Sequence, residues 1–300
     1  MATIATLPIS VVIHTKNADK TLDRCLESTA FSDDVVVIDM HSTDNTIAIA
    51  EARHARVITV DDVGFADPMR NFGISQTKSD WILVLDADEE VSTGLQAHLP
   101  TMISGATDVW HLPRKNVIFG QWMQYGNWWP DYQTRLFKKG MVTWTDKVHT
   151  PPEVRGAAVQ APADEAYTLI HHHYETVVDF VDRLNRYTTL ETNRRSNQSF
   201  SNEQVITQAI DDFFRRYFAF DGYRDGTHGT YLSLLQSVYE LIVGMKQWER
   251  HGFDSSQVSI ESIARYISHA YRYWYATYRI QSAHSSVERI IWKIRRKLTI

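Results

Sequence analysis

Residues 81–91 read Trp81-Ile82-Leu83-Val84-Leu85-Asp86-Ala87-Asp88-Glu89-Glu90-Val91. The apolar residues are consecutive rather than alternating, so a strand built from them is covered on both faces. It ends abruptly on two carboxylates separated by a single small residue. Upstream, Ile9 to Ile13, Val35 to Ile38 and Val57 to Val60 are runs of the same kind. Between them Lys20 to Ser28, Thr43 to Arg53 and Pro68 to Lys78 read as helices, opened by Asp19, Ser42 and Asp67 as capping or first-turn residues. Strand alternating with helix predicts an α/β fold with a parallel sheet and right-handed crossovers. Ligands of such sheets bind outside the carboxyl ends of the strands. Three polar clusters fall there: His14-Thr15-Lys16-Asn17, Asp39, and Asp86 to Glu90.

Downstream of Gly94 the pattern changes. Val109 to Val148 is rich in Trp and Tyr and predicts further strands and loops, and from about Thr176 the chain reads as helical. Val205, Ile206, Ala209, Ile210, Phe213, Phe214 and Tyr217 form one helical apolar stripe, and Ile260, Ile263, Ala264, Ile267, Tyr271, Trp274 and Tyr278 form another. The expected division is a sheet domain over 1–175 and a helical C-terminal region over 176–300. Ser285 to Ile300 opens with a capping-box pattern and sets Ile290, Ile291, Ile294 and Leu298 against Arg289, Lys293, Arg295, Arg296 and Lys297. Two readings stand for it: a helix docked peripherally on an anionic membrane, or a helix packed on the protein with a solvated basic face.

A chain of 300 residues, 43% hydrophobic, can bury a large core. With 36 acidic and 31 basic side chains, its formal net charge is −5, which argues against a nucleic-acid partner. Cys25 is the only cysteine, so neither an intrachain disulfide nor a cysteine-based zinc site is expected. Met1 to Pro8 lacks the marks of a signal peptide, and no apolar run approaches the length of a bilayer span. These features predict a cytoplasmic location, with peripheral contact on the inner face of the membrane under the first reading of the C-terminal helix.

Asp86 and Asp88, two hard oxygen donors at the end of a buried strand, suit Mg2+ or Mn2+. An ion there would bridge the phosphates of a sugar nucleotide and neutralise a departing diphosphate. The plainer alternative is an acidic loop that caps a turn. His171, His172 and His173 form a second cluster in which the first and third share a face if the segment is a strand. It is read either as a metal site or as structural histidines.

The segments ISVVIHTKNADKTLDRCLES (9–28), VVVIDMHSTDNT (35–46) and MRNFGISQTKSDWILVLDADEEV (69–91) resemble the nucleotide-binding half of family 2 glycosyltransferases. YGNWWPDYQTRLFKKG (125–140), VHT (148–150), HHHYETVVDFVDRLNRYTTLE (171–191) and FFRRYFAFDGYRDGTHG (213–229) are similar to the bacterial lipopolysaccharide-core glucosyltransferase branch. The resemblance covers roughly residues 8 to 250. It implies a GT-A fold, with a Rossmann-like, mostly parallel sheet flanked by helices and a helical C-terminal extension. It also implies an inverting, metal-dependent transfer of glucose or another hexose from a UDP-sugar to an acceptor hydroxyl on a surface glycan, lipopolysaccharide core or glycolipid.

Carried over residue by residue, the resemblance places Thr15, Asn17 and Asp39 in the nucleoside pocket, with Arg70 and Asp86 close to the nucleotide. Asp86, Asp88 and His149 are the metal ligands it implies. Met40 stands where family members often have an acid or a small residue, and Thr150 follows His149 where the branch often has Glu. Asp131 is the candidate general base, since an acceptor hydroxyl must lose its proton as it attacks. Arg135 is the candidate phosphate or acceptor contact. Plainer readings stand beside these: Asp39 as a helix cap, Asp131 ion-paired with Arg135, and His149 as a structural histidine. Trp122, Trp128, Trp129 and Trp144 are read either as stacking surfaces for sugars or as core. A sugar nucleotidylyltransferase would need a glycine-rich loop after the first strand, and His14 to Asp19 has no glycine. A glycoside hydrolase would leave the strand-end cluster without a use. A non-catalytic carbohydrate-binding protein would bind without donor turnover.

Overall fold

The computed structural model of the protein describes residues 6–62, 67–145, 151–195, 201–253, 255 and 258–298. Its strands are β1 (Ile9–Thr15), β2 (Asp34–Asp39), β3 (Arg56–Thr59), β4 (Trp81–Asp86), β5 (Glu89–Val91), β6 (Val109–Ile118), β7 (Gln121–Trp122), β8 (Asp131–Lys138), β9 (Val142–Thr143), β10 (Glu153–Val154), β11 (Ala158–Gln160) and β12 (Leu169–Tyr174). Its helices are α1 (Leu22–Glu27), α2 (Thr46–Ala52), α3 (Asp67–Ser75), α4 (Thr93–Ser104), α5 (Val177–Arg194), α6 (Asn202–Phe214), α7 (Gly226–Arg250), α8 (Ile260–Gln281) and α9 (Ser286–Leu298). They belong to two compact units, one of residues 1–117 and 130–173, the other of residues 118–129 and 174–300.

The first unit holds the main sheet, in the order β3-β2-β1-β4-β8-β6-β12-β5. The unbroken apolar runs are explained by two separate cores. Val11 and Ile13 of β1 and Leu83 and Leu85 of β4 pack with Leu22 and Leu26 of α1 and Leu95 and Leu99 of α4. Their alternates, Val12, Ile82 and Val84, pack with Ile74 of α3 and with Phe137 and Trp144. Each such buried side chain contributes about 1.5–3 kcal/mol relative to exposure, which is why both faces of these strands had to be apolar.

The expected parallel order holds from β3 through β4, with β2 and β3, β1 and β2, and β1 and β4 all parallel. Beyond β4 the order turns antiparallel, with β8 running against β4 and β6 and β12 against β5, while the short β11 lies parallel to β6 off the main path. Between β6 and β8 there is no helix to carry a parallel crossover, and antiparallel neighbours need none. The result is a mixed α/β sheet flanked by helices and followed by a helical region, as the GT-A expectation requires.

Helices α1 and α2 start later than the sequence suggests, and α3 starts at Asp67, within one residue of the expected Pro68. Thr21 and Asn45 precede α1 and α2, and neither gives a side-chain cap. Ser42 is instead taken up by Asp39, and the side chain of Asp67 lies outside the described residues.

In the second unit Ile118 and Met123 are buried against Phe180 of α5 and Leu232 of α7. The 118–129 segment thus belongs with the helices, a pairing over long sequence distance. Thr176 and Asp179 form a reciprocal capping box at the start of α5. The first apolar stripe runs along α6 and continues into a π-helical turn, Arg215–Ala219. The second lies on α8, where Tyr271, Tyr275 and Tyr278 meet Phe218. Before α9, Ser285 Oγ accepts the Glu288 N–H at 3.1 Å. The return bond of the expected box is not made to Ser285: the Glu288 carboxylate accepts from the His284 N–H and from Arg279. Among the described residues no helix is long and apolar enough to cross a membrane.

Candidate active site

Sheet register assembles the site inside the first unit. β1 and β4 are aligned so that His14 stands beside Asp86, and β1 and β2 so that Thr15 stands beside Asp39. The carboxyl ends of three parallel strands therefore bring these groups to one edge, as the strand-end argument requires. Asp86 is held from two sides: Arg70 of α3 donates to Oδ1 at 2.7 Å and Arg135 of β8 to Oδ2 at 2.5 Å. Burial pushes the Asp86 pKa up, but Arg135 and Arg70 outweigh it and hold the carboxyl well below its usual range. Arg135 also donates to Glu89 Oε1 at 2.8 Å, and the second oxygen of Glu89 accepts the Asp86 N–H at 3.0 Å. Burial opposes the charge on Arg135, and its contacts with Asp86 and Glu89 more than restore it.

The antiparallel pair β6 and β8 sets Arg114 directly opposite Asp131. Arg114 spans Glu89 at 3.2 Å and Asp131 at 2.7 Å. Asp131 Oδ2 also accepts from Asn116 at 3.1 Å, and Oδ1 from Gln133 at 2.7 Å. Burial raises the Asp131 pKa, while Arg114, Asn116 and Gln133 bring the net shift below the usual range. The ion-pair partner of Asp131 is therefore Arg114, with Arg135 committed to Asp86 and Glu89.

On the other side of Asp86, β5 and β12 pair so that Glu89 faces His171. His171 Nδ1 lies 2.6 Å from Asn116 Oδ1, and its Nε2 lies 3.1 Å from His173 Nδ1 and 3.6 Å from Asp88 Oδ1. The expectation that the first and third histidines share a face is met, with ring centroids 4.4 Å apart. Among the described residues no group of three His, Cys, Asp or Glu could hold a metal ion. His149 lies outside the described residues.

The family model described as glycosyl transferase family 2 matches residues 10–152, the segment that builds this edge of the sheet. This chain carries a glycosyl transferase family 2 domain. Among curated relatives of the glycosyltransferase, the lipopolysaccharide core biosynthesis glycosyltransferase LpsC of Rhizobium meliloti is 24% identical over 262 residues, spanning 83% of this chain and 94% of that one. An uncharacterized glycosyltransferase of Rickettsia conorii is 29% identical over 237 residues, spanning 72% and 84%. Among solved structures, S. aureus TarS 1-349 matches at 16% identity with a TM-score of 0.40, over 85% of this chain and 95% of that one. Glucosyl-3-phosphoglycerate synthase of Mycobacterium tuberculosis matches at 20% identity with a TM-score of 0.31, over 36% of this chain and 43% of that one.

Within the glycosyltransferase domain the proposed nucleoside residues form a knot around Ser42. Ser42 donates its N–H and its hydroxyl to the two oxygens of Asp39, which is fully buried. Asn17, at a positive φ of 48°, donates its N–H to Ser42 Oγ and accepts the Thr43 N–H. Asp39 does not cap α2, which begins at Thr46 after Asn45 without a side-chain cap; it fixes the turn ahead of that helix, and through Ser42 it also places Asn17. The Thr15 hydroxyl is buried without a hydrogen-bond partner among the described residues. Trp144 is buried and faces Phe137 and Arg70, so it serves as core rather than as an open sugar platform. Trp122 stands edge-on to Trp129.

Sequence reasoning missed Glu89, Arg114, Asn116 and Gln133. The i, i+2 spacing of Arg114 and Asn116, and of Asp131, Gln133 and Arg135, was the available signal, because those positions share a strand face. Which face met which depended on pairings that local sequence does not specify.

Proposed function

We propose that this glycosyltransferase moves a hexosyl group, with inversion, from a UDP-sugar to a hydroxyl of a lipopolysaccharide-core or related surface-glycan acceptor. The observation that carries the reading is the charge arrangement at the end of β4. Two guanidinium groups, Arg70 and Arg135, converge on Asp86 at the edge where a parallel sheet binds phosphates, with Asp88 one residue further on. The family domain and the similarity to LpsC support the reaction class and the acceptor class.

The donor set fits a metal held in part by substrate. Both Asp86 oxygens are committed to arginines, so Asp88 is the carboxylate that would hold Mg2+ or Mn2+, with diphosphate oxygens and water completing the shell as such ions commonly accept. The ion, when bound, would supply charge neutralisation for the departing diphosphate. Asp86 keeps Arg70 and Arg135 aimed at the phosphates, and Thr15, Asn17 and Asp39 shape the nucleoside pocket. The acceptor oxygen attacks the anomeric carbon from the face opposite the diphosphate, and its proton passes to Asp131, which Arg114 keeps ionised. His149 remains a proposed third ligand.

Titrating UDP in the presence and absence of Mn2+ tests the donor reading. Wild type is expected to bind at least about tenfold more tightly with the ion, and Asp88→Asn to lose that difference. Equal affinity in all conditions sinks the metal role of Asp88.

The double contact of Arg114, whose Nε and Nη2 both reach Oδ2 of Asp131 at 2.8 and 2.7 Å, favours a second reading, in which Asp131 anchors Arg114 and another group takes the proton.

A further inference from the structure

Helix α9 packs with the wrong side inward for a helix of a water-soluble protein. Only Glu288, Trp292 and Arg296, spaced four apart and so on one face, are partly covered; the other residues from Ser286 to Leu298 are exposed. That face meets α8. Glu288 accepts from Arg279 at 2.8 Å, the Trp292 ring stands edge-on to Tyr275 and under Arg279, and Arg296 reaches Tyr273 and Thr277. Val287, Ile290, Ile291, Ile294 and Leu298 lie on the opposite side, in a stripe about 100° wide. They are 47–68% exposed. An amphipathic helix normally buries such a stripe, worth about 1.5–3 kcal/mol per side chain, and here the polar and aromatic face has taken the intramolecular place.

The charges say what covers the stripe. Arg289, Lys293, Arg295, Arg296 and Lys297 set five cations against the single acid Glu288, which Arg279 already engages, in a chain whose net charge is −5. Arg295 and Lys297 flank the aliphatic stripe on either side; the Arg295 guanidinium lies over the Trp292 ring at 4.8 Å, and the Lys297 stem can run along apolar surface while its charge reaches outward. A second copy docking through the same stripe would bring these cations against their own counterparts, a repulsion an anionic lipid surface replaces with attraction.

We propose that α9 is an in-plane membrane anchor whose Val287, Ile290, Ile291, Ile294 and Leu298 stripe enters the boundary of an anionic lipid leaflet. It lies flat, since it is too short and too charged to cross. This inference is independent of the donor and metal assignments.

Co-sedimentation of the full chain with vesicles of phosphatidylcholine alone, or mixed with phosphatidylglycerol, tests it. Binding is expected to the mixed vesicles only, to weaken in high salt, and to fall by about fivefold for each cation removed in Lys293→Gln and Lys297→Gln. The double variant Ile290→Glu and Ile294→Glu should abolish binding while keeping the wild-type circular dichroism spectrum and donor hydrolysis. No binding of the wild type to the mixed vesicles overturns the proposal. So does a concentration-dependent dimer in light scattering that the Ile290→Glu and Ile294→Glu variant removes.

Discussion

Glu89 shows how much one buried carboxylate organises. It accepts from Arg114 and Arg135 and from the Asp86 N–H, so it ties the strand-end acids to the pair Arg114 and Asp131. The two roles open to Asp131 separate kinetically. If it takes the acceptor proton, Asp131→Asn should keep UDP affinity and lose turnover by about 100-fold to 10000-fold, well beyond the loss in Arg114→Gln. If it only anchors Arg114, the two variants should lose similar amounts and the double variant no more than either, which single-turnover rates would reveal.

His14 makes a second residue-scale prediction. Burial, reinforced by Arg70, pushes its pKa from the usual 6.5 to about 3. The unfolded chain takes up a proton below 6.5 and the folded one does not, so this contribution to stability is present above 6.5 and lost as pH falls toward 3. The slope is about 1.4 kcal/mol per pH unit. Denaturant midpoints measured from neutral pH to about 4.5 should therefore fall more steeply for wild type than for His14→Gln, and parallel curves would refute the assignment.

At the scale of elements, α3 delivers Arg70, the residue proposed to meet the donor, to Asp86. It lies close against the sheet through Gly73, where an added Cβ would stand 2.6 Å from Val12 Cγ1 and 3.0 Å from Ile38 Cγ1. Val12 and Ile38 are fully buried and cannot swing aside. Gly73→Ala should therefore lift the helix, destabilise the fold by about 1–3 kcal/mol, and weaken UDP binding as Arg70 withdraws from Asp86. A thermal melt and a UDP titration check both, and wild-type values in the two together would show that the helix can shift without consequence. The existence of this helix was legible in residues 68–78. The reason for its glycine was not, since the neighbours that exclude a side chain come from strands about 30 to 60 residues earlier in the chain.

Across the whole molecule, Asp86, Asp88, Arg70, Arg135, Asp39 and Asp131 all belong to the first unit, whereas Phe180 and Leu232 are core residues of the second. Phe180→Ala should lower the melting temperature, at a cost of about 3–5 kcal/mol to its own unit, and leave UDP affinity within about twofold below the transition. A large loss of UDP affinity in a folded Phe180→Ala protein would mean that the donor site needs the second core. The alternation of buried runs and capped helices over residues 9–91 was enough to predict the parallel half of the sheet and the acidic end of β4. Strand period and two-faced burial are local properties of those residues. The strand-rich and helical segments that follow were visible as such, and the amphipathic composition of α9 could be read directly. The partner of Asp131, the clamp on Asp86, the placing of His171 near Asp88 and the outward turn of the α9 stripe could not. Each depends on strand register or helix docking, set by contacts between residues far apart in the chain, and a shift of one residue in such a register would send every one of those side chains to the opposite face.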